Sequence, residues 1–246
     1  MLVRNGLPAD AISLLAGAYF RPAQVDEDKG ARLWGGVAHL VHCRMRFCEG
    51  CNSELDRYLQ CRRGLDFKKA CRKRDATRLN PVFLKNLHRA ASPAAPRCGQ
   101  FRLARIRVGS VQGALSFIAT HADLEPQIKA LMKVYAAGST LLRAYFALFI
   151  MSILHPFEDG NGRVMRAWLL SLDPEGGGFP SFLAVQVKLR QDALIVAMSM
   201  LADLNVGPLL RFHEESVESF EKFSRMDFGN AFRVLEEGVD RSCAVR

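Results

Sequence analysis

One predicted helix of this sequence is apolar on nearly every side, and it constrains the fold more than any other feature. Helical periodicity over Ser139–Leu154 places apolar side chains around most of the circumference: Leu141, Leu142, Tyr145, Phe146, Leu148, Phe149 and Ile153. A helix of that kind is stable in water only when other elements surround it. Its strongest apolar run, Ala144–Leu154, follows Arg143 and is about half the length of a membrane span. The run therefore predicts a buried core helix and no membrane partner.

Helical periodicity also dominates the rest of the chain, and strand patterns are few. Residues 101–108 and 114–120 alternate or cluster apolar side chains and predict a hairpin across residues 109–113. We therefore expect an all-α fold, a helical bundle with a small β-hairpin. The further predicted helices are Ala11–Phe20, Ala31–Phe47, Ser53–Arg74, Pro81–Ala91, Asp123–Tyr135, Arg163–Leu172, Arg190–Leu204 and Gly207–Phe223.

The net positive charge of the chain comes from one segment. The 246 residues are 49% hydrophobic and 24% charged, which is ordinary for a globular protein and excludes disorder. The net charge of +9 comes from Arg62–Arg107, with 14 basic and 2 acidic residues. Such a block indicates a polyanionic partner or, more commonly, a solvated helix face. It offers few aromatic side chains for base stacking and no nucleic-acid motif, so a nucleic-acid-binding regulator is the alternative and not the leading function.

Cysteine and isolated histidine residues point to structure more than to metal. Cys48 and Cys51 form one C-x-x-C pair, but a zinc site needs a second pair, and Cys61 and Cys71 are too far apart to supply it. Seven cysteines and no recognisable signal peptide favour a reducing, cytoplasmic setting, with secretion as an effector left open. Trp168 is expected in the core. The histidines expected to be structural are His39, His42, His88, His121 and His213.

The apolar helix leads into a segment rich in groups that bind phosphate, residues 155–166, which reads His-Pro-Phe-Glu-Asp-Gly-Asn-Gly-Arg-Val-Met-Arg. Pro156 disfavours helix at His155 and should end the first helix there. Gly160 and Gly162 allow positive φ, so that successive N–H groups are exposed where the next helix begins. Exposed N–H groups at a helix N-terminus form an anion site.

The charged side chains of the same segment agree with this interpretation. Arg163 and Arg166 share one face of the first turn, a placement that suits an anion larger than a carboxylate. Asp159 is a hard oxygen ligand of the kind that holds Mg²⁺ between phosphates. His155 has an ordinary pKa near neutrality and can accept a proton. Together they predict phosphoryl or nucleotidyl transfer.

The segment resembles the signature of the Fic family, H-x-F-x-[DE]-G-N-G-R-x-x-R, at every specified position. Weaker similarity at Phe101-Arg102, Ile106–Gly109 and Pro208–Phe212 extends the resemblance to roughly residues 81–223. It implies an α-helical domain with a flap hairpin that transfers AMP from Mg-ATP to a protein hydroxyl and releases pyrophosphate. The implied domains are an N-terminal helical extension over residues 1–80, a catalytic domain over 81–225 and a C-terminal tail over 226–246.

The resemblance also implies a role for each residue of the motif. Residues of the flap near Ser116–Thr120 would pair with an extended segment of the target protein. The implied roles are His155 as the base, Asn161 and Arg163 as its catalytic partners, Phe157 as the anchor of the loop, Asp159 as the Mg²⁺ ligand, Gly160, Asn161 and Gly162 as the cradle of the α- and β-phosphates, Arg163 at the β-phosphate and Arg166 at the γ-phosphate.

Two properties of the family remain open in this sequence. Many relatives carry a Tyr-Tyr pair near the position of Ala193-Leu194, and its absence here leaves the nucleotide base open, UTP and GTP included. Many also carry an inhibitory helix, [ST]-x-x-x-E-[GN], which has no strict match. Relaxed matches place the inhibitory residue at Glu49 or, less closely, at Glu237. The third alternative is no internal inhibitor, with a separate antitoxin-like protein supplying it to a toxin.

Overall fold

The computed structural model describes residues 2–4, 6–24, 79–93, 95–109, 116–119, 123–173 and 178–227, and further along residues 229–230, 233–234 and 237. The predicted helices Ala31–Phe47 and Ser53–Arg74 lie outside these ranges. A π-helix, Ile150–Leu154, continues α4 without a break. The α-helices are α1 (Ala9–Gly17), α2 (Pro81–Ala91), α3 (Leu124–Ala137), α4 (Thr140–Phe149), α5 (Asn161–Leu172), α6 (Phe179–Leu189), α7 (Gln191–Ala202) and α8 (Gly207–Ser224).

The helix that the sequence predicts to be central is central. Every residue from Ala144 to Leu154 is buried. Helix α5 packs against α4 on one side and against α2 and α6 on others. Trp168 of α5 is fully buried and donates from its indole Nε1 to the Tyr135 hydroxyl at 2.8 Å. The all-α fold is therefore confirmed, and Trp168 is a core residue as expected.

Two helix starts follow from their local sequence. Asn80 accepts a hydrogen bond from the Phe83 amide at 2.8 Å, and Pro81 stands in the first turn, so α2 begins with a side-chain cap and a fixed φ. Ser139 accepts from the Leu142 amide at 3.2 Å and begins α4 in the same way. These caps fix where α2 and α4 begin.

A small sheet lies beside the helices, with β3 in its middle. Its strands are β1 (Leu2–Arg4), β2 (Ile106–Gly109) and β3 (Ser116–Ala119), in the order β1-β3-β2. Strands β2 and β3 are antiparallel, with Ile106 opposite Ala119, and form the predicted hairpin. Strand β1 pairs parallel to β3, with Leu2 opposite Phe117. The sequence analysis predicted the hairpin but not its third strand.

Residues near the start of the chain pack onto the helical domain. Helix α1 contacts α4 and α7. Arg21 forms ion pairs with Glu214 at 3.1 Å and Glu221 at 2.9 Å, both on α8. Its carbonyl accepts from Nε2 of buried His213, whose Nδ1 accepts from the Tyr145 hydroxyl at 2.8 Å. His213 is therefore structural, as expected. Within the described ranges, no helix combines the length and the apolar character that crossing a membrane requires.

Helix α6 is an element that the sequence analysis did not predict. All ten residues from Phe179 to Lys188 are buried, because the helix packs between α5 and α8. The segment is mostly apolar and buried on all sides, so its periodicity does not distinguish a helix from a buried strand or loop. Pro180 in the first turn is the local signal that favours a helix start.

Candidate active site

His155 stands where the central helix ends. The π-helix Ile150–Leu154 closes with the His155 amide donating to the Ile150 carbonyl at 3.1 Å. His155 itself is in the left-handed region, with φ 49° and ψ 62°. Pro156 follows it, so the predicted end of the helix at His155 is confirmed. The turn carries the partly buried imidazole out of the helix and into a cleft.

The Arg102 side chain anchors this turn through hydrogen bonds to its backbone carbonyls. Only 1% of the residue is exposed. Its Nε donates to the His155 carbonyl at 2.7 Å, and its Nη2 donates to the Leu154 carbonyl at 3.1 Å. Its own amide donates to the Pro156 carbonyl at 2.9 Å. Carbonyl groups at a helix C-terminus lack partners within the helix and attract cations, so Arg102 satisfies the backbone that positions His155.

The next residues form a closed loop around Asn161. The Asn161 amide oxygen accepts from the Phe157 N–H at 3.0 Å, and its nitrogen donates to the Phe157 carbonyl at 2.7 Å. Phe157 is fully buried, stacked on His88 and tilted against Phe101. Phe157 thus occupies its expected position in the core. The Asn161 side chain closes the loop, and this residue faces the cleft at the first position of α5.

The two glycines of the motif differ in conformation. Gly160 has φ 80° and precedes α5, so the sequence prediction of positive φ is right for this residue. Gly162 lies inside the first turn of α5 and is not a positive-φ residue, so the same prediction is wrong there. The helix starts one residue after Gly160, which leaves Gly162 in helical conformation. The N–H groups facing the cleft are therefore those of a helix N-terminus more than of an extended nest.

We expect these two glycines to respond differently to alanine. A Cβ on Gly160 would lie 2.3 Å from the Ser92 Oγ at a positive φ, whereas one on Gly162 would lie 3.6 Å from the Arg166 Nη1, an ordinary contact. Gly160→Ala should lower the free energy of unfolding by about 1–3 kcal/mol. Gly162→Ala should leave it unchanged or raise it by up to about 1 kcal/mol.

Urea denaturation measures both changes. Adding Ser92→Gly to Gly160→Ala removes the clashing side chain and should recover part of the loss, the remainder being backbone strain. Equal destabilisation by the two alanine substitutions would contradict the distinction between the glycines.

Charged groups gather around the start of α5. The Arg163 Nη2 lies 2.5 Å from the Asp159 Oδ2, so the predicted phosphate ligand and the predicted Mg²⁺ ligand contact each other. Arg166 is one turn further along and is only 9% exposed. Glu158 lies 3.6 Å from the Arg97 Nε. Among the residues described, no three His, Cys, Asp or Glu side chains form a metal cluster. Asp159 can therefore contribute one carboxylate, which suits Mg²⁺ shared with phosphate oxygens.

The motif forms one wall of a cleft of about 340 Å³. The opposite walls come from β2, α6 and α7. The sequence analysis placed β2 in the flap and the nucleotide base near Ala193-Leu194 of α7, but it assigned no role to the residues of α6. Polar residues among them are Arg107, Lys188, which is only 9% exposed, and Gln191. A lysine inside the mostly apolar segment of α6 is the sequence signal that could have found this wall. The additional lining residues are Val108, Gly109, Met151, Ser152, Met165, Val187, Leu194 and Ile195.

Comparison with known proteins agrees with this geometry. The sequence model of the Fic/DOC family matches residues 78–172, which include α2, the hairpin, α4 and the whole motif. The matched segment is of the Fic/DOC type. A crystal structure of a Fic family protein from Desulfovibrio desulfuricans G20 has a TM-score of 0.55 and 17% identity with this chain. The alignment covers 80% of this chain and 64% of that protein, so this chain spans less than two thirds of its length. No curated protein matches the chain.

The environment of the motif keeps the His155 imidazole neutral. Burial and then the nearby Arg102 guanidinium lower the pKa of His155 from 6.5 to about 4. Its Nδ1 is buried, so Nε2 is the ring nitrogen that a hydroxyl in the cleft can reach. The sequence analysis predicted an ordinary pKa near neutrality. The structure corrects that value, and the imidazole is unprotonated throughout the neutral range.

The pH dependence of the His155 ring follows from this shift. We expect its NMR signal to titrate with a midpoint near pH 4, identified as the signal that His155→Asn removes. Between pH 6.5 and about 4 the unfolded state binds the proton and the folded state does not. Stability should therefore fall as pH decreases through that window, by about 1.4 kcal/mol per pH unit for this group. A midpoint near 6.5 would contradict the environment described for the ring.

Among the described strands, the hairpin edge without a strand partner is the outer edge of β2, and not an edge of β3. The sequence analysis placed target pairing near Ser116–Thr120. In the structure β3 lies between β1 and β2, so neither of its edges is open. The outer edge of β2 has no strand partner among the described residues, and its residues Arg107–Gly109 line the cleft.

The inhibitory candidates remain predictions. Glu49, the cysteines at positions 48, 51, 61 and 71, and the basic residues 62–78 lie outside the described residues. Glu237 is exposed, and its carboxylate lies 3.6 Å from the Arg233 Nη1, one turn earlier in the chain.

Proposed function

We propose that this protein is a Fic-type protein-modifying enzyme that transfers AMP from Mg-ATP to a hydroxyl group of a target protein. The observation that carries the proposal is the cleft itself. It brings the neutral base His155 together with the N-terminus of α5, Arg163 and Arg166. A base beside a helix N-terminus and two guanidinium groups suits attack by a hydroxyl on a polyphosphate.

The chemistry of the transfer requires a balanced exchange at the α-phosphorus. The Nε2 of His155 takes the proton from the target hydroxyl, and the hydroxyl oxygen bonds to the α-phosphorus. The bond from that phosphorus to the bridging oxygen breaks, and pyrophosphate leaves. The amides at the start of α5 and the guanidinium groups of Arg163 and Arg166 stabilise the charge on the phosphate oxygens. Positioning and charge neutralisation supply most of the catalysis in such reactions.

Asp159 is the residue that would hold Mg²⁺. Its carboxylate is 57% exposed at the cleft, and a single hard oxygen ligand is what Mg²⁺ uses when phosphates supply other ligands. A bound ion would neutralise phosphate charge. Arg163, which contacts Asp159, would share its guanidinium with the phosphates.

The part of the cleft away from the motif would receive the nucleoside. Its apolar side chains, Val187, Leu194 and Ile195, suit the faces of a base. Lys188 and Gln191 supply polar groups beside them, at positions that can contact base edges or the ribose. No Tyr-Tyr pair stands near Ala193-Leu194, and the lining of the cleft among the described residues contains no Phe, Tyr or Trp side chain.

The test uses the position of the label in the nucleotide. Purified protein and a cell extract are incubated with Mg²⁺ and ATP labelled at either the α- or the γ-phosphate. Transfer of AMP labels a protein from α-labelled ATP only. Label from γ-labelled ATP would show phosphorylation instead, and α-labelled GTP, UTP and CTP in parallel identify the preferred base. Label from none of them, with salt-sensitive nucleic-acid binding, would favour the nucleic-acid regulator.

Regulation and targeting belong to the same proposal. A target segment would add to the outer edge of β2, where its hydroxyl reaches His155. A separate inhibitor of the antitoxin kind would act by placing a carboxylate against Arg166. Co-expression that suppresses labelling by the wild-type protein would identify such an inhibitor.

A further inference from the structure

His88 lies outside the cleft but contacts the loop that forms it. It is on α2, and none of its surface is exposed. Its Nδ1 accepts a hydrogen bond from the Gly99 amide at 2.8 Å, and its Nε2 lies 3.0 Å from the Asp159 carbonyl oxygen. Its ring stacks on Phe157 with centroids 4.0 Å apart and planes 6° from parallel.

These contacts fix the protonation of the ring. An amide N–H can only donate, so the Nδ1 that receives it carries no proton. A carbonyl oxygen can only accept, so Nε2 carries the proton and donates it to Asp159. His88 is therefore the neutral tautomer with its proton on Nε2, and each nitrogen has one partner.

The two partners belong to the two loops that build the site. The Asp159 carbonyl is part of the peptide that leads into Gly160, whose φ of 80° places the N-terminus of α5. Gly99, with φ 73°, leads within three residues to Arg102, which holds the His155 carbonyl. His88 thus ties the loop before the phosphate-binding helix to the loop that anchors the base.

We propose that His88 is a positioning residue that sets the distance between the His155 base and the phosphate-binding N-terminus of α5. It touches no substrate and acts through the carbonyl of Asp159 and the amide of Gly99. The inference rests on the proposed function for its kinetic consequences, whereas its structural content stands on the described contacts alone. A displaced supporting contact of this kind costs activity without removing any group from the cleft.

Three substitutions separate the contacts of His88. His88→Gln places an amide donor near the Nε2 position, His88→Asn places an acceptor near the Nδ1 position, and His88→Phe keeps only the ring. Asparagine and phenylalanine should lower kcat about 10–100-fold with the KM of the target protein unchanged. Glutamine should restore kcat to within about threefold of wild type, because the bond to Asp159 is kept. All three should lower the melting temperature.

His213 is the matched control. It is equally buried and is bonded at both nitrogens, but its partners, Tyr145 and Arg21, do not belong to the loops that form the cleft. His213→Gln and His213→Asn should lower the melting temperature without changing kcat. The proposal would be overturned if kcat were unchanged in His88→Asn and His88→Phe. It would also be overturned if His88→Gln had the same kcat as His88→Asn at equal stability.

Two further measurements need no transferase activity. In ¹⁵N-histidine-labelled wild-type protein, the ring shifts of His88 should show a neutral Nε2–H tautomer, and a Nδ1–H or doubly protonated ring at neutral pH would overturn the proposal. Calorimetry should show that the His88→Asn and His88→Phe variants bind inorganic triphosphate about tenfold more weakly than wild type, whereas the His88→Gln variant binds it as wild type does. If wild-type protein binds triphosphate but transfers nothing, the proposed function fails while these two measurements still decide the role of His88.

Discussion

His155→Asn is expected to lower the rate of nucleotide transfer by about 10²–10⁴-fold, the usual contribution of a general base. Asparagine has no group that accepts a proton at neutral pH. It does tolerate the left-handed backbone, which His155 adopts with φ 49°. The fold, the arginines and the start of α5 should therefore be preserved, and the loss should fall on the chemical step.

Transfer from α-labelled nucleotide under single-turnover conditions measures this loss. Nucleotide affinity should stay within about threefold of wild type, since binding and chemistry are separable in this comparison. His155→Ala is the less suitable variant, because alanine at positive φ adds about 1–2 kcal/mol of backbone strain. An asparagine variant that transfers at the wild-type rate would remove His155 from the mechanism.

The second large effect is expected at Arg102. Arg102→Met keeps most of the side-chain volume but removes the donors to the carbonyls of Ala104, Leu154 and His155. Each buried carbonyl left without a donor costs about 1–3 kcal/mol, so the loss of three donors should lower the free energy of unfolding by at least about 3 kcal/mol. Arg102→Lys should be intermediate, because lysine keeps the charge but not the fork of donors.

Arg105→Met is the matched control for this substitution. Arg105 is exposed and lies three residues along the same segment, so the same change should alter stability by less than about 0.5 kcal/mol. Urea denaturation compares the variants. Where Arg102→Met still folds, the pKa of His155 should rise, because a positive charge that lowers it has been removed. Similar stability of the two methionine variants would contradict the anchoring role of Arg102.

Much of the fold was predictable because its signals are local. The apolar helix over residues 139–154 and the motif after it are determined by side chains within a few turns of each other. Pro156 ends the first helix at His155, and Gly160 adopts the positive φ that precedes α5, as the sequence predicts for both. Three residues are too few to show a strand pattern, so β1 was not predicted, and its partner β3 lies more than a hundred residues away.

The contacts that support the site are the part that the sequence did not reveal. Nothing near Arg102 indicates that its partners are the carbonyls of residues 154 and 155. His88 has no local sign of its partners in two other loops. The motif roles were predicted from the resemblance, whereas the contact between Asp159 and Arg163 depends on the side-chain conformations of the folded loop. Long-range pairing of this kind needs the tertiary structure.

The π-helix before His155 already holds one residue more than regular α-helix would in that segment. Each residue of an α-helix turns the chain by about 100°, and a π-turn holds one residue more than an α-turn. Deleting one residue from Ile150–Leu154 would therefore allow regular α-helix to continue, and His155 would leave it at nearly the same azimuth. An added residue would instead turn the imidazole by about 100° around the helix axis and away from the cleft. At this wall of the site, a single-codon insertion is therefore a greater hazard to function than a single-codon deletion.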